Sequence, residues 1–206
     1  MYVFHSFSHG FFISLLLTGV NGILWNTTGV SYAGDTVQGS ALNQLSSPNG
    51  LFINANDVLY INDGGNFRIL KYLPGATSGI VAAGTSAGGN ALNQISTNAR
   101  FSYVDSNENI YISDTNNHRI VRWANGTSTG VIVAGNGSFG ASLGQVRNPF
   151  GIWVDSNSNV FVVENQNHRV TMWTSGATAG VVVAGGNGQG KGIANICLLL
   201  YVPSFY

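Results

Sequence analysis

The stretch DTNNHRIVRW (114–123) decides the fold, because the chain carries it three times. The other copies are DGGNFRILKY (63–72) and ENQNHRVTMW (164–173). In each copy an acid (Asp63, Asp114, Glu164) stands five residues before an arginine (Arg68, Arg119, Arg169). An asparagine (Asn66, Asn117, Asn167) stands two before it, and an aliphatic residue follows it. A second marker, the pair Ala-Gly, falls at 33–34, 83–84, 134–135 and 184–185, with spacings of 50, 51 and 50. Two markers that share one period of about 50 residues mean stacked or radially repeated units.

One unit reads as four short strands. In the third copy these are Gly151–Asp155, Val160–Val163, Arg169–Trp173 and Gly180–Ala184. Between the first two lies Ser-Asn-Ser-Asn (156–159), residues that turn the chain by tolerating positive φ or by bonding their own backbone. The middle unit repeats the order from Phe101, Ile110, Arg119 and Gly130, and the first from Gly50, Val58, Arg68 and Gly79. Alternation in the third strand predicts one buried and one wetter face. The connectors GSALNQL (39–45), GNALNQI (89–95) and, less closely, SLGQV (142–146) join one unit to the next. Their paired aliphatic residues, Leu42 with Leu45 and Leu92 with Ile95, are expected to anchor the loop to the core. The fold class is therefore all-β: a β-propeller of four-stranded antiparallel blades, incomplete, with about three blades and a strand fragment at Gly29–Ala33. Unpaired flanks on the first and last blades predict self-association, or further blades in a longer chain.

Composition agrees. Among 206 residues there are 28 glycines, 4 prolines and many aromatic and β-branched residues, which suits short strands and tight turns. Charged residues make up 8% and balance to a net of zero. That excludes the clustered basic surface of a DNA-binding protein and makes RNA the weakest partner. Cys197 stands alone, so no intrachain disulfide, RING or cysteine zinc site can form.

Three regions follow. Residues 1–24 lie outside the repeat and contain the apolar run Phe11–Val20. It is too short to cross a bilayer comfortably. It reads as a signal-peptide core or as a non-repeat start. Residues 25–192 hold the blades, and residues 193–206 form a divergent apolar tail. Asn26, Asn125 and Asn136 head N-glycosylation sequons, which matter only in a secreted chain.

The order Pro149-Phe-Gly-Ile, Val154-Asp155, Asn159-Val-Phe-Val-Val, then acid, Asn167, His168, Arg169 and Val170 resembles the NHL repeat. The middle unit, with Asp114, Asn117, His118, Arg119 and Ile120, is the nearest match. Departures are Ala99-Arg100 in place of Pro-Asn or Pro-Phe, Phe67 in place of His, and Glu164 in place of Asp. The resemblance covers roughly residues 25–192. It implies a propeller that usually closes with six blades, of which this chain has about half. It also implies a binding or scaffold role toward a protein or peptide, including substrate recruitment beside RING and B-box segments of ubiquitin ligases. Similar propellers include a zinc- and calcium-binding peptidyl-hydroxyglycine lyase, lactonase-type hydrolases and RNA-binding modules, so a metal-dependent enzyme is the rival class.

The residues themselves favour a structural reading of the motif, with no catalytic, metal or cofactor site assigned. A catalytic group is needed once, whereas these recur in every unit. The acid is expected to cap its turn, the asparagine to take the awkward dihedral, the arginine to pair inside the blade and the histidine to bridge two turns. His118 and His168 make two equivalent imidazoles, but Phe67 breaks the ring that a zinc site would need. A calcium ring of Asp63, Asp114 and Glu164 is the other metal reading, set below turn capping and arginine pairing.

Overall fold

The computed structural model describes residues 3–7, 10–14 and 31–189. Readings that concern residues 15–30 and 190–206 lie outside it: most of the apolar run, Asn26 and the divergent tail. The start of that run, Gly10–Ser14 (β2), pairs antiparallel with Val3–Phe7 (β1) as a hairpin. Among the described residues no helix is long and apolar enough to cross a membrane.

Three four-stranded antiparallel meanders follow, as the repeat requires. The first blade is β3 (Pro48–Ile53), β4 (Leu59–Asp63), β5 (Arg68–Tyr72) and β6 (Ile80–Gly84). The second is β7 (Ala99–Val104), β8 (Ile110–Asp114), β9 (Arg119–Trp123) and β10 (Val131–Ala134). The third is β11 (Pro149–Val154), β12 (Val160–Glu164), β13 (Arg169–Trp173) and β14 (Val181–Gly185). Acid and arginine face each other at the same register in all three: Asp63 with Arg68, Asp114 with Arg119, Glu164 with Arg169. The chain is an all-β propeller with an incomplete ring.

Each blade turns one sheet face toward the blade before it and the other, here the trailing face, toward the blade after it. Tyr60, Ile69 and Ala83 on the first trailing face pack with Ile95 against Ile110, Ile112, Val121 and Trp123 of the second blade. Tyr111, Ile120 and Ala134 pack with Val146 against Ile152, Val154, Val160, Val162 and Trp173 in the same way. The opposite face of the first blade carries Leu59, Ile61, Leu70 and Tyr72, covered by Tyr32, Ala33 and Leu45.

Sandwiching corrects three expectations. The third strands are buried on both faces rather than one, with a single half-buried residue each (Lys71, Arg122, Met172). The innermost strands begin two residues before the repeat's glycine position, across a register shift. In the connectors only the second aliphatic anchors: Ile95 and Val146 are fully buried and Leu45 half-buried, whereas Leu42, Leu92 and Leu143 are exposed. Those three leucines serve through their backbone. Their carbonyls accept the N–H groups of Gly79, Gly130 and Gly180 at 2.8, 2.7 and 2.8 Å.

The Ala-Gly marker has its own cause. Gly84, Gly135 and Gly185 have φ of 82, 74 and 72°. A Cβ there would stand 2.3, 2.7 and 2.3 Å from the carbonyl oxygens of Phe67, His118 and His168. Only glycine fits both the left-handed backbone and that approach.

Candidate functional site

The recurrent motif forms one latch per blade. Asp114 is fully buried at the end of β8. Its Oδ1 accepts the Ser96 N–H at 2.9 Å, and its Oδ2 accepts Asn117 Nδ2 at 2.8 Å and Arg119 Nε at 2.9 Å. The rest of the Arg119 guanidinium donates to three connector carbonyls, Asn90, Ala91 and Gln94. Arg68 does the same with Ser40, Ala41 and Gln44, and Arg169 with Ala141, Ser142 and Gln145. Asn66, Asn117 and Asn167 bridge the same acid to the carbonyls of Gly39, Gly89 and Gly140. Each latch thus ties the incoming connector to its blade. Its charge is consumed inside the fold, where hydrogen bonds to ionised groups are strongest.

Two assignments within the motif change. The acids do not cap the turn: a single 3-10 turn follows each of them, with no side-chain cap. Their oxygens go to the arginine, the asparagine and, in the first two blades, the connector backbone (Ser46 and Ser96). The awkward dihedral falls on Phe67, His118 and His168, with φ of 55, 49 and 50°, not on the asparagines. His118 Nδ1 accepts the Asn148 N–H of the next connector at 3.4 Å. Its ring stands edge-on to Phe139, over which Arg147 lies at 4.1 Å. Burial holds His118 below the usual histidine range, and the Arg147 charge pushes the same way. Among the described residues no three His, Cys, Asp or Glu side chains stand close enough together to hold a metal ion. Asn125 and Asn136 are exposed, and Asn125 donates to Glu108 at 3.2 Å.

Glu164, one methylene longer than the two aspartates, builds a variant latch. Its Oε1 accepts both Arg169 Nε at 3.0 Å and the Thr171 hydroxyl at 2.8 Å. Thr171 Oγ1 in turn accepts Trp173 Nε1 at 3.0 Å. In the second blade Val121 stands where Thr171 does, and buried Trp123 Nε1 has no partner among the described residues.

Features that do not recur are the candidates for function. Between the first two blades, Lys71 Nζ meets Glu108 at 2.7 Å, beside a cavity of about 590 Å³ lined by Tyr60, Trp123, Ile80 and Val81 among others. The repeat offers Arg122 and Ser158 at the matching positions one blade on.

The larger difference is the trailing face of the third blade. Position by position, Tyr60 and Tyr111 become Phe161, Asn62 and Ser113 become Val163, and Lys71 and Arg122 become Met172. Phe52 and Tyr103 become Trp153, which is tilted against Phe161 with ring centroids 5.3 Å apart. Asn62 donates to the Ala99 carbonyl of the following blade, and Thr115 to that of Pro149 at 2.7 Å. The third blade has Val163 and exposed Asn165 there. Trp153 is 42% exposed and Val183 47%; Ala184 is exposed, whereas its counterparts Ala83 and Ala134 are 4% and 2% exposed. Among the described residues, the most open blade face is also the most apolar one. Sequence reading missed it because the substitutions stand out only once the strands are in register.

No protein-family model matches this sequence, and no curated protein does. Solved structures match its fold. An auxiliary nutrient binding protein from Bacteroides thetaiotaomicron aligns with a TM-score of 0.53 at 16% identity, over 70% of this chain and 37% of that one. A gluconolactonase from Xanthomonas campestris gives 0.51 at 12% identity, over 70% and 50%. A Bacteroides thetaiotaomicron protein of unknown function gives 0.52 at 17% identity, over 69% and 38%. At such identities the likeness defines a class, propeller-like proteins. The chain spans between about a third and a half of their length.

Proposed function

We propose that this chain is a binding module of the NHL-repeat type, which engages a protein or peptide through the open trailing face of its third blade. The observation that carries the reading is that face: among the described residues, Trp153, Phe161, Val163, Met172 and Ala184 form an exposed to half-buried apolar surface on the side that the two preceding blades turn to a neighbour. Exposed contiguous apolar patches mark interaction sites, and a half-exposed tryptophan is a typical anchor. Recurrence supports the same division of labour. Latch residues repeat and are consumed in holding connectors, while the face departs from the repeat once. Substrate recruitment in a larger ubiquitin-ligase-like assembly fits within this role, as does the ligand binding named for the nutrient-binding neighbour.

The test is selection of twelve-residue peptides on the immobilised chain. Selected peptides are expected to bind the parent and to lose at least tenfold in affinity on a variant carrying Phe161→Tyr, Val163→Asn and Met172→Lys. Each replacement is the residue found at that position in the first blade, so the variant should fold. Peptides that bind both proteins equally would overturn the reading.

A further inference from the structure

We infer that the cleft between the outer parts of the first and second blades binds a short extended peptide, uncharged, in which aliphatic and polar side chains alternate. This site is separate from the third blade's face and does not depend on it.

Two elements supply the walls. One is β6, the outermost strand of the first blade, bonded on one edge to β5 and on the other to no strand among the described residues. Its sequence IVAAG holds no charge and no proline, two of the devices that keep an edge strand from accepting another chain. Ile80 is 56% exposed, Val81 45% and Leu73, shortly before them, 44%, and all three line the cleft. The other wall is the turn Asn125–Thr129 of the second blade, polar throughout. A volume of about 590 Å³ falls within the span of ligand sites, roughly 300–1,000 Å³. An apolar and a polar wall on one cleft suit an extended chain, whose side chains alternate sides with a period of two.

The Lys71–Glu108 pair also lines the cleft. Glu108 Oε2 accepts both Lys71 Nζ at 2.7 Å and Asn125 Nδ2 at 3.2 Å. Glu108 Oε1 has no partner among the described residues. Even with Tyr60 beside it, Lys71 keeps one of its three N–H groups to give. The two side chains are 20% and 26% exposed, so both remain within reach of a ligand. The bond to Glu108 holds the Lys71 ammonium above its usual range, so the donor stays charged. A donor and an acceptor side by side match the C=O and N–H of a peptide, and bonds to ionised groups are the stronger kind. Because the two charges cancel, the pair favours neither an acidic nor a basic peptide. Tyr60 and Trp123 line the cleft but are 1% and 0% exposed, so a sugar finds no aromatic face to stack on. The trio of Lys71, Glu108 and Asn125 occurs once: the next junction has Arg122, Ser158 and Ser175 at these positions, the cation without the carboxylate.

Titration of the isotope-labelled whole chain with acetyl-Leu-Ser-Leu-Ser-Leu-amide, followed by backbone amide shifts, tests it. Saturable shifts are expected in Ile80–Thr85 and Asn125–Thr129. Lys71→Met and Glu108→Gln should each weaken binding by roughly tenfold, the loss of one hydrogen bond to a charged group. Lys71→Arg, which keeps a charged donor, should restore most of it, and Arg122→Met, at the next junction, should change nothing. Melting curves matching the parent's show that each variant is folded. The acidic analogue acetyl-Leu-Asp-Leu-Asp-Leu-amide should bind no tighter than the serine peptide. No shift in the cleft overturns the proposal, as does binding that survives both Lys71→Met and Glu108→Gln. Tighter binding of the acidic analogue would mean a bare anion site, and the same shifts with glucose a polyol site; either overturns it. Shifts confined to Trp153, Phe161 and Met172 also overturn it and leave the third blade's face as the peptide site.

Discussion

Replacing Asp114 by alanine tests whether the motif is a latch or a working site. Asp114 is fully buried and accepts three hydrogen bonds, from Ser96 N, Asn117 Nδ2 and Arg119 Nε. Without it the Arg119 charge stays buried, since its side chain is only 4% exposed. The Asn90, Ala91 and Gln94 carbonyls still hold the far end of the guanidinium, but they supply dipoles and no counter-charge. Removing one partner of a buried ion pair costs about 3–5 kcal/mol. At roughly 2–4 °C per kcal/mol for a chain of this size, the melting midpoint should fall by about 6–20 °C. Asp63→Ala should cost a similar amount, because Asp63 accepts Ser46 N, Asn66 Nδ2 and Arg68 Nε in the same geometry. Arg119→Met removes the charge together with its donors, and the double variant with Asp114→Ala should be milder than the sum of the two by about 1–3 kcal/mol. Calorimetry or urea titration of the three variants gives the cycle. An Asp114→Ala protein whose stability drops by less than about 0.5 kcal/mol, the scatter of surface substitutions, would refute the latch. If it also lost peptide binding, the motif would have to be reassigned as a functional site.

Thr171→Val removes the acceptor of Trp173 Nε1 and one donor to Glu164, and should cost about 1–3 kcal/mol by chemical denaturation. The Trp173 indole N–H resonance should then move toward that of Trp123, which has no partner among the described residues. Gly84→Ala should destabilise by more than about 1 kcal/mol, since φ is 82° and the added methyl would stand 2.3 Å from the Phe67 carbonyl oxygen. His118 is held below its unfolded value of about 6.5 by burial and Arg147, with Asp114 opposing. The unfolded chain therefore binds its proton first as the pH falls. The His118 contribution is fully present above about pH 6.5 and is lost as the pH drops through the folded value. The stability difference between the parent and His118→Phe should shift against the parent from about pH 8 to about pH 5, and a pH-independent difference would refute the assignment.

The architecture was legible because a propeller repeats its constraints. The acid–arginine pairing in register, the buried arginines and the glycine at the end of each outer strand all follow from positions about 50 residues apart. What could not be read was geometry that depends on one atom's reach. Asn is the residue usually assigned to a left-handed dihedral, yet the strain sits on Phe67, His118 and His168. The reason is that Asn66, Asn117 and Asn167 are engaged elsewhere, bridging the acid to a connector carbonyl. Nor does the sequence show that Glu164, through its extra methylene, draws in Thr171 and Trp173 while Asp114 binds the Ser96 backbone instead.

The candidate site was hidden for the opposite reason. Recurrence reveals what every blade needs, and so it draws attention to residues whose charges are already neutralised inside. Function in a repeat protein has to be sought where the pattern lapses while the backbone does not. Val163 and Met172 sit on strands paired as regularly as those of Asn62 and Lys71. Only their chemistry differs, from donors that reach a neighbouring blade to apolar side chains. The asparagine and the lysine of the first blade are both replaced there by apolar residues. Their loss, together with a 42% exposed tryptophan beside them, is the physical ground for assigning that face a partner.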